Sequence, residues 1–473
     1  MSEIEVAAEV EEALHNPPKD AASEKPYPNQ LYAWYVVAVF VLAYTFSFID
    51  RQILSLLVEP MKRDLDISDT QISLLLGIAF AAFYVLMGLP IGRLVDRRHR
   101  ISIVAAGVFF WSMMTALSGT AKAYWQLFAY RMGVGIGEAA LTPSAYSIIS
   151  DYFPPNRRGL AIGFFGVGVY IGAGAALVIG ALAIGWANSI GDVTLPIIGH
   201  VYSWQLVFFV VGLPGILVAL WVASLKEPER RGHMRREIGA DGIERDAEVP
   251  FGEVMAYLKK NAPAFVTMNL CFALLAMMAY GTAAWVPTFF VRTYGWSIND
   301  IGHFYGGIIM VFGTLGVVSG GALGDYVCSK GYRNGRIIVM ASTGLITMPF
   351  AIAFPLMSDP YWALALVAPA TFFGTFTTGV GPSALMDMMP NQMRGFASAC
   401  QGLMVNLIGL GLGPTAIALV TDQVYGDDLM LKYSLAIVPP VVLGLGAIMG
   451  FLALKPYLTS LDYLNVWSKE NEK

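Results

Sequence analysis

The chain has 473 residues, with 30 Lys+Arg against 34 Asp+Glu, and charged residues make up 14% of it while apolar and aromatic types make up 56%. An ordinary soluble domain carries about 25% charged residues, and one this apolar would expose large sticky patches to water, so a soluble enzyme is excluded. Cys271, Cys328 and Cys400 lie far apart and are odd in number, which supports neither a disulfide framework nor a cysteine metal site. The slightly acidic balance and the lack of a long Lys/Arg run give no nucleic-acid surface.

In chain order, residues 1–30 come first, with seven acids, two lysines and Pro17, Pro18, Pro26 and Pro28; they predict a disordered tail with no cleavable leader. A helix needs about 20 apolar residues to cross a hydrocarbon core. Six stretches meet that length, at 33–58, 70–92, 101–119, 123–150, 159–187 and 203–224, and form a first bundle over 31–225. Residues 226–260 carry eight acids and eight bases and read as a polar, partly helical linker. Six more spans follow at 263–291, 300–323, 336–355, 361–387, 396–420 and 433–454, a second bundle over 261–456, before a tail at 457–473. The expectation is an all-α membrane protein of twelve transmembrane helices in two pseudo-symmetric six-helix bundles. With the N-terminus inside, the inner segments carry 23 Lys+Arg and the outer loops 5, which places both termini in the cytoplasm.

Two patterns repeat between the halves at nearly the same offset. Gly92, Leu94 and Asp96 match Gly321, Leu323 and Asp325, and Asp151, Pro154, Arg158 and Gly159 match Asp387, Pro390, Arg394 and Gly395. Parallel repeats of this kind place a shared cavity near the bilayer midplane and move by rocking one half against the other. Asp96, Asp151, Asp325 and Asp387 end helices near basic loop residues, Arg97, Arg158 and Arg394 among them, so Asp–Arg contacts there are expected to act as a cytoplasmic gate.

These residues resemble the major facilitator superfamily. Its loop signature after the second span reads GxLxDrxGrr; GRLVDRRHR keeps Gly92, Leu94, Asp96 and Arg97 but has His99 for the glycine, and the second copy, GALGDYVCSKG, lacks an Arg directly after Asp325. RMGVGIGE, with Arg131, is similar to the family's fourth-helix motif, which implies a role for that Arg in proton coupling. Within the superfamily, FSFIDRQILS, YRMGVGIGEAALTPSAYSIISDYFP and the DxxPxxxRG loops resemble the Spinster group. That resemblance implies proton-driven export of lysophospholipids or sphingosine phosphate-like lipids.

Charges inside a span are costly and therefore functional candidates by default. Asp50, Arg51, Arg131 and Glu138 are the four clear cases. Helical rise puts Asp50 roughly 13 Å and Arg131 roughly 12 Å below the outer ends of their spans, so an ion pair between them facing a wet cavity is predicted. A proton on Asp50 would release Arg131 to an anionic headgroup, and its loss would restore the pair and expel the ligand, an exchange that reads as proton antiport. Glu138 lies on the face of Arg131, about 10 Å deeper, as a site for a cationic group or a partner for Arg51. In the second half Tyr280, Thr282, Trp285, Thr371, Thr375 and Asn406 are candidate substrate contacts, with Met278, Trp285 or Met386 against an alkyl tail. The small-residue rows Gly168, Gly172, Ala176, Gly180 and Gly316, Gly320, Gly324 predict close helix packing.

The leading reading is a transporter, not an enzyme. It is expected to work without cofactor or metal, moving a small amphipathic, lipid-like solute with protons by alternating access, as a monomer in a cell membrane such as a bacterial inner membrane. A drug or organic-anion exporter, or an uncoupled facilitator, is the alternative of the same class; a receptor or scaffold is the alternative of another.

Overall fold

A computed structural model describes residues 27–196, 198–230, 236–238, 244–246, 250–390 and 393–471. Residues 1–26 of the predicted tail and residues 231–235, 239–243 and 247–249 of the linker lie outside these residues. Eleven helices among the described residues are long and apolar enough to cross a membrane: Gln30–Leu56, Asp69–Gly88, Arg100–Ser118, Leu160–Ile190, Ser203–Ala223, Ala262–Tyr294, Ile298–Ser329, Gly335–Leu356, Pro360–Met388, Arg394–Tyr425 and Asp428–Trp467. The predicted span at 123–150 is two shorter helices, Tyr124–Glu138 and Leu141–Tyr152. Pro143 explains the break, because its ring would collide with the carbonyl four residues back, at Ala139, while it fits the first turn of a new helix. Together the two pieces complete twelve passes, which we number in chain order.

Two faces result. The terminal face carries the start of span one, the linker and the end of span twelve; the distal face carries residues 57–69, 119–123, 191–202, 294–298, 356–360 and 425–430. A short antiparallel hairpin on the distal face pairs Val193–Leu195 with Gly199–Val201, Val193 opposite Val201. A second, in the linker, pairs Arg236–Ile238 with Glu244–Asp246. The linker then forms the helix Phe251–Lys260. Span twelve does not stop near 454: its helix runs Leu431–Asn471 and packs Tyr463 and Trp467 on Tyr257 of the linker helix, while Arg333 pairs with Asp462 at 2.8 Å. Those contacts give the polar end of the chain a surface to fold against.

Within each half the small-residue rows do what their spacing predicts. Gly168 and Gly172 lie on Val41 and Thr45 of span one, and Gly316, Gly320 and Gly324 lie on Thr375, Phe376 and Val380 of span ten. Between the halves, span two crosses span eleven at Gly77 and Gly411, and span five crosses span eight at Gly174 and Gly306. Gly77 is separated from Gly306 as Gly92 is from Gly321, and Gly174 from Gly411 almost as Asp151 is from Asp387, so the two crossings are copies of one contact. A Cβ on Gly77 would fall 2.5 Å from the Gly411 oxygen. Gly306→Val is therefore expected to lower the thermal unfolding temperature of the detergent-purified protein, by overpacking worth about 1–3 kcal/mol. Gly163→Val, where a side chain meets open space, should leave it unchanged.

Candidate functional site

Span one turns two consecutive charges in different directions, because neighbours on a helix are about 100° apart. Arg51 faces the space between the halves. Its guanidinium carbon lies 4.5 Å from the Phe80 ring centroid, 5.2 Å from that of Phe48 and 5.5 Å from that of Tyr84. Its Nε donates to Glu138 Oε2 at 2.7 Å, and its terminal nitrogen donates to the same oxygen. Ser47, one turn before Arg51, also donates to that oxygen, while Glu138 Oε1 has no partner among the described residues. Glu138 is 1% exposed, so this is a nearly dry ion pair on a wall that opens at Arg51.

Asp50 turns toward Thr115 of span three and lies beside Arg131 of span four. The expected Asp50–Arg131 ion pair is not formed. Arg131 reaches the predicted level, but its Nη1 donates to the main-chain carbonyl of Asp50 at 3.0 Å, using the lone pair that the helix hydrogen bond leaves over. Asp50 Oδ1 and Arg131 Nε have no hydrogen-bond partner among the described residues. The charge pair that does join spans one and four is Arg51–Glu138, the alternative partnership weighed for Arg51.

A small, open cavity lies at Arg51, lined by Phe48, Gln52, Leu76, Phe80, Tyr280, Ala283, Ala284, Leu410 and Pro414 from both halves. Arg51 and Tyr280 are thus in it, and Glu138 holds its arginine. Trp285 is fully buried and gives its indole N–H to the Pro414 carbonyl at 2.9 Å, so it braces span seven on span eleven and does not line this cavity. Thr375 likewise bonds the carbonyls of Gly313 and Phe372. Asn406 bonds the Gly402 carbonyl of its own helix, and Thr282 and Thr371 are half-buried without lining this cavity.

On the terminal face each half holds an arginine on its own carboxylates. Arg100 binds Asp151, Glu227, Ser147 and the Pro228 carbonyl; Arg336 binds Asp387 and, at 2.7 Å, Asp325. Arg100 and Arg336 are separated as Asp151 and Asp387 are, the offset of the repeated loops, and that signal was available to find them. Asp151 and Asp387 are therefore tied within their halves. Arg158 Nε has no partner among the described residues, Arg394 Nε donates to the Met389 carbonyl at 3.2 Å, Arg97 is exposed, and Gly92 meets open space. The Asp96 side chain lies outside the described residues.

Among the described residues every ion pair between the halves lies on the distal face. Arg292 of span seven binds Glu59 at 2.7 Å and Asp69 at 2.6 Å, and Lys62 binds Asp69 at 2.8 Å and Asp428 at 2.6 Å. Asp422 accepts from Thr70 at its main-chain nitrogen and hydroxyl, 2.7 and 2.6 Å, so one half caps a helix of the other. The distal face is closed.

Twelve apolar passes in two copies, a charged pocket between the copies and a locked face at one end define a membrane carrier. The chain belongs to the Major Facilitator Superfamily, which it matches over residues 40–414. It is a transporter and not an enzyme. It is 28% identical to an MFS-type efflux pump of Mycolicibacterium smegmatis over 84% of this chain and 86% of that protein. It is 27% identical to a probable galactarate/D-glucarate transporter of Bacillus subtilis, over 80% and 84%. A bacterial homologue of the human lysosomal transporter Spinster, solved inward-facing and unoccupied, superposes with a TM-score of 0.75 at 27% identity, covering 92% of this chain and 99% of that one. The Spinster-like character read from the motifs is thus matched in three dimensions.

Proposed function

We propose that the protein carries an amphipathic, lipid-like anion across a cell membrane by alternating access, driven by protons, with both termini cytoplasmic. The observation that carries this is one cation, Arg51, at the edge of a mostly apolar cavity and already bound to a buried carboxylate. An anionic head that takes Arg51 must displace Glu138, and a displaced buried carboxylate needs a proton. Asp50, with a free carboxyl oxygen next to Arg131, is a second proton site. The sign of coupling follows from linkage: a proton that frees the arginine promotes anion binding, so both are loaded together. That is symport, whereas antiport requires the two to compete. The apolar lining by Leu76, Phe80 and Leu410, and the lipid export that the Spinster-like motifs imply, favour a lipid. The glucarate-transporter relative favours a second reading, a free sugar acid at the same arginine.

Liposomes holding the protein separate these readings. A labelled lysophospholipid should move faster when protons run down their gradient with it, and Glu138→Gln should remove that response. Movement of D-glucarate alone would select the second reading, gradient-driven movement unchanged in Asp50→Asn would take Asp50 out of the coupling, and no movement of either would leave a receptor.

A further inference from the structure

Most buried tyrosines in this protein use their hydroxyls. Tyr124, Tyr152, Tyr257, Tyr294 and Tyr457 donate to main-chain carbonyls, and Tyr170 donates to Thr378 at 2.9 Å. Four around Arg51 do not. Tyr84 has its ring 5.5 Å from the guanidinium, and Tyr280 lines the cavity beside it. Tyr44 touches Phe48 at 5.2 Å and stacks on Phe165 at 5.0 Å, and Tyr146 meets the other side of Phe165 at 5.6 Å. The four come from spans one, two, four and seven. They are close enough to interact electrostatically with one another, and Tyr44 and Tyr280 also with Arg51. Each keeps accessible surface, Tyr146 as much as 42%, and none of the four hydroxyls is hydrogen-bonded among the described residues.

Four accessible hydroxyls around one cation, with no partner among the described residues, are left to bond water or a solute. Water fills that role in an empty cavity, and a solute that displaces the water without replacing its bonds loses affinity. An alkyl chain is therefore the wrong occupant for this wall. A quaternary ammonium is wrong as well, because the Phe48, Phe80 and Tyr84 rings already hold the Arg51 cation. The geometry points to a hydroxyl-binding subsite, formed by Tyr44, Tyr84, Tyr146 and Tyr280, for a substrate whose anionic group sits on Arg51 and carries neighbouring hydroxyls. This rests on the assignment of Arg51 to the anion. A polyhydroxylated lipid headgroup and a free sugar acid share that chemistry, and each tyrosine O–H can both donate to and accept from it.

The test uses matched pairs on the purified full chain: D-glucarate against adipate, and lysophosphatidylglycerol against hexadecyl phosphate, with affinities read by calorimetry. In at least one pair the hydroxylated member should bind at least about tenfold tighter, and the pair that shows it identifies the source. Tyr84→Phe and Tyr146→Phe, which keep the rings, should each cut that preference about fivefold and leave the hydroxyl-free member unchanged. No preference in either pair, a preference untouched by both variants, or no binding of any probe overturns the subsite. Arg51→Gln distinguishes the two levels. If it abolishes binding of all four probes while no hydroxyl preference exists, only the subsite falls; if it changes nothing, the anion reading falls with it.

Discussion

Arg51→Gln is expected to abolish gradient-driven transport and to destabilise the protein, while Arg51→Gln combined with Glu138→Gln restores stability without transport. The asymmetry comes from Glu138, whose side chain is fully buried and whose bonds among the described residues come from Arg51 and Ser47 alone. Removing one partner of a buried ion pair leaves the other charge uncompensated, at a cost of about 3–5 kcal/mol, whereas removing both leaves two neutral amides able to bond each other. Thermal unfolding of the single and double variants measures the first effect and liposome uptake the second. A double variant no more stable than the single one would mean that the pair does not hold spans one and four together.

Arg292→Gln is expected to open the distal face. This one side chain binds Glu59 and Asp69 of the first half and also reaches the main-chain oxygen of Asp428. Charge-assisted hydrogen bonds contribute about 1.5–3 kcal/mol each, so losing them should shift the closed-to-open ratio by at least about thirtyfold. Lys62 still holds Asp69 and Asp428, which keeps the variant folded. Thr415→Cys, placed beside Ser73 below the lock in a chain whose three native cysteines are replaced by alanine, reports the change. Labelling by a membrane-impermeant thiol reagent from the distal side should quicken at least about tenfold. An unchanged rate would mean that the distal face is closed by something other than this network.

The reading from sequence succeeded where one-dimensional physics decides. An apolar run long enough to cross the hydrocarbon core has few alternatives to doing so, so the passes were legible, and the repeat gave the two-bundle plan. It failed where azimuth and tertiary contact decide. Helical rise put Asp50 and Arg131 at one level, but which way each points is set by packing, with Gly135 on the Phe80 backbone and Gly137 on Gly107 and Trp111. Rotation then gave Glu138 to Arg51 and left Arg131 a carbonyl. Trp285 has the composition of a substrate contact, yet its N–H is consumed by Pro414. The helical end of the chain beyond 456 depends on Tyr257, in the linker far upstream, and no local pattern announces it. Of the tyrosine wall only Tyr280 was picked out, because its four members are scattered over spans one, two, four and seven.

Proton uptake during anion binding tests the central claim most directly. Calorimetry in buffers of different ionisation enthalpy, with the tightest-binding anion of the matched pairs, should show about one proton taken up per anion bound, since the two ligands promote each other. That uptake should vanish in Glu138→Gln. Binding with no proton exchanged, or with the same exchange in Glu138→Gln, would contradict a mechanism in which the solute takes Arg51 from its carboxylate.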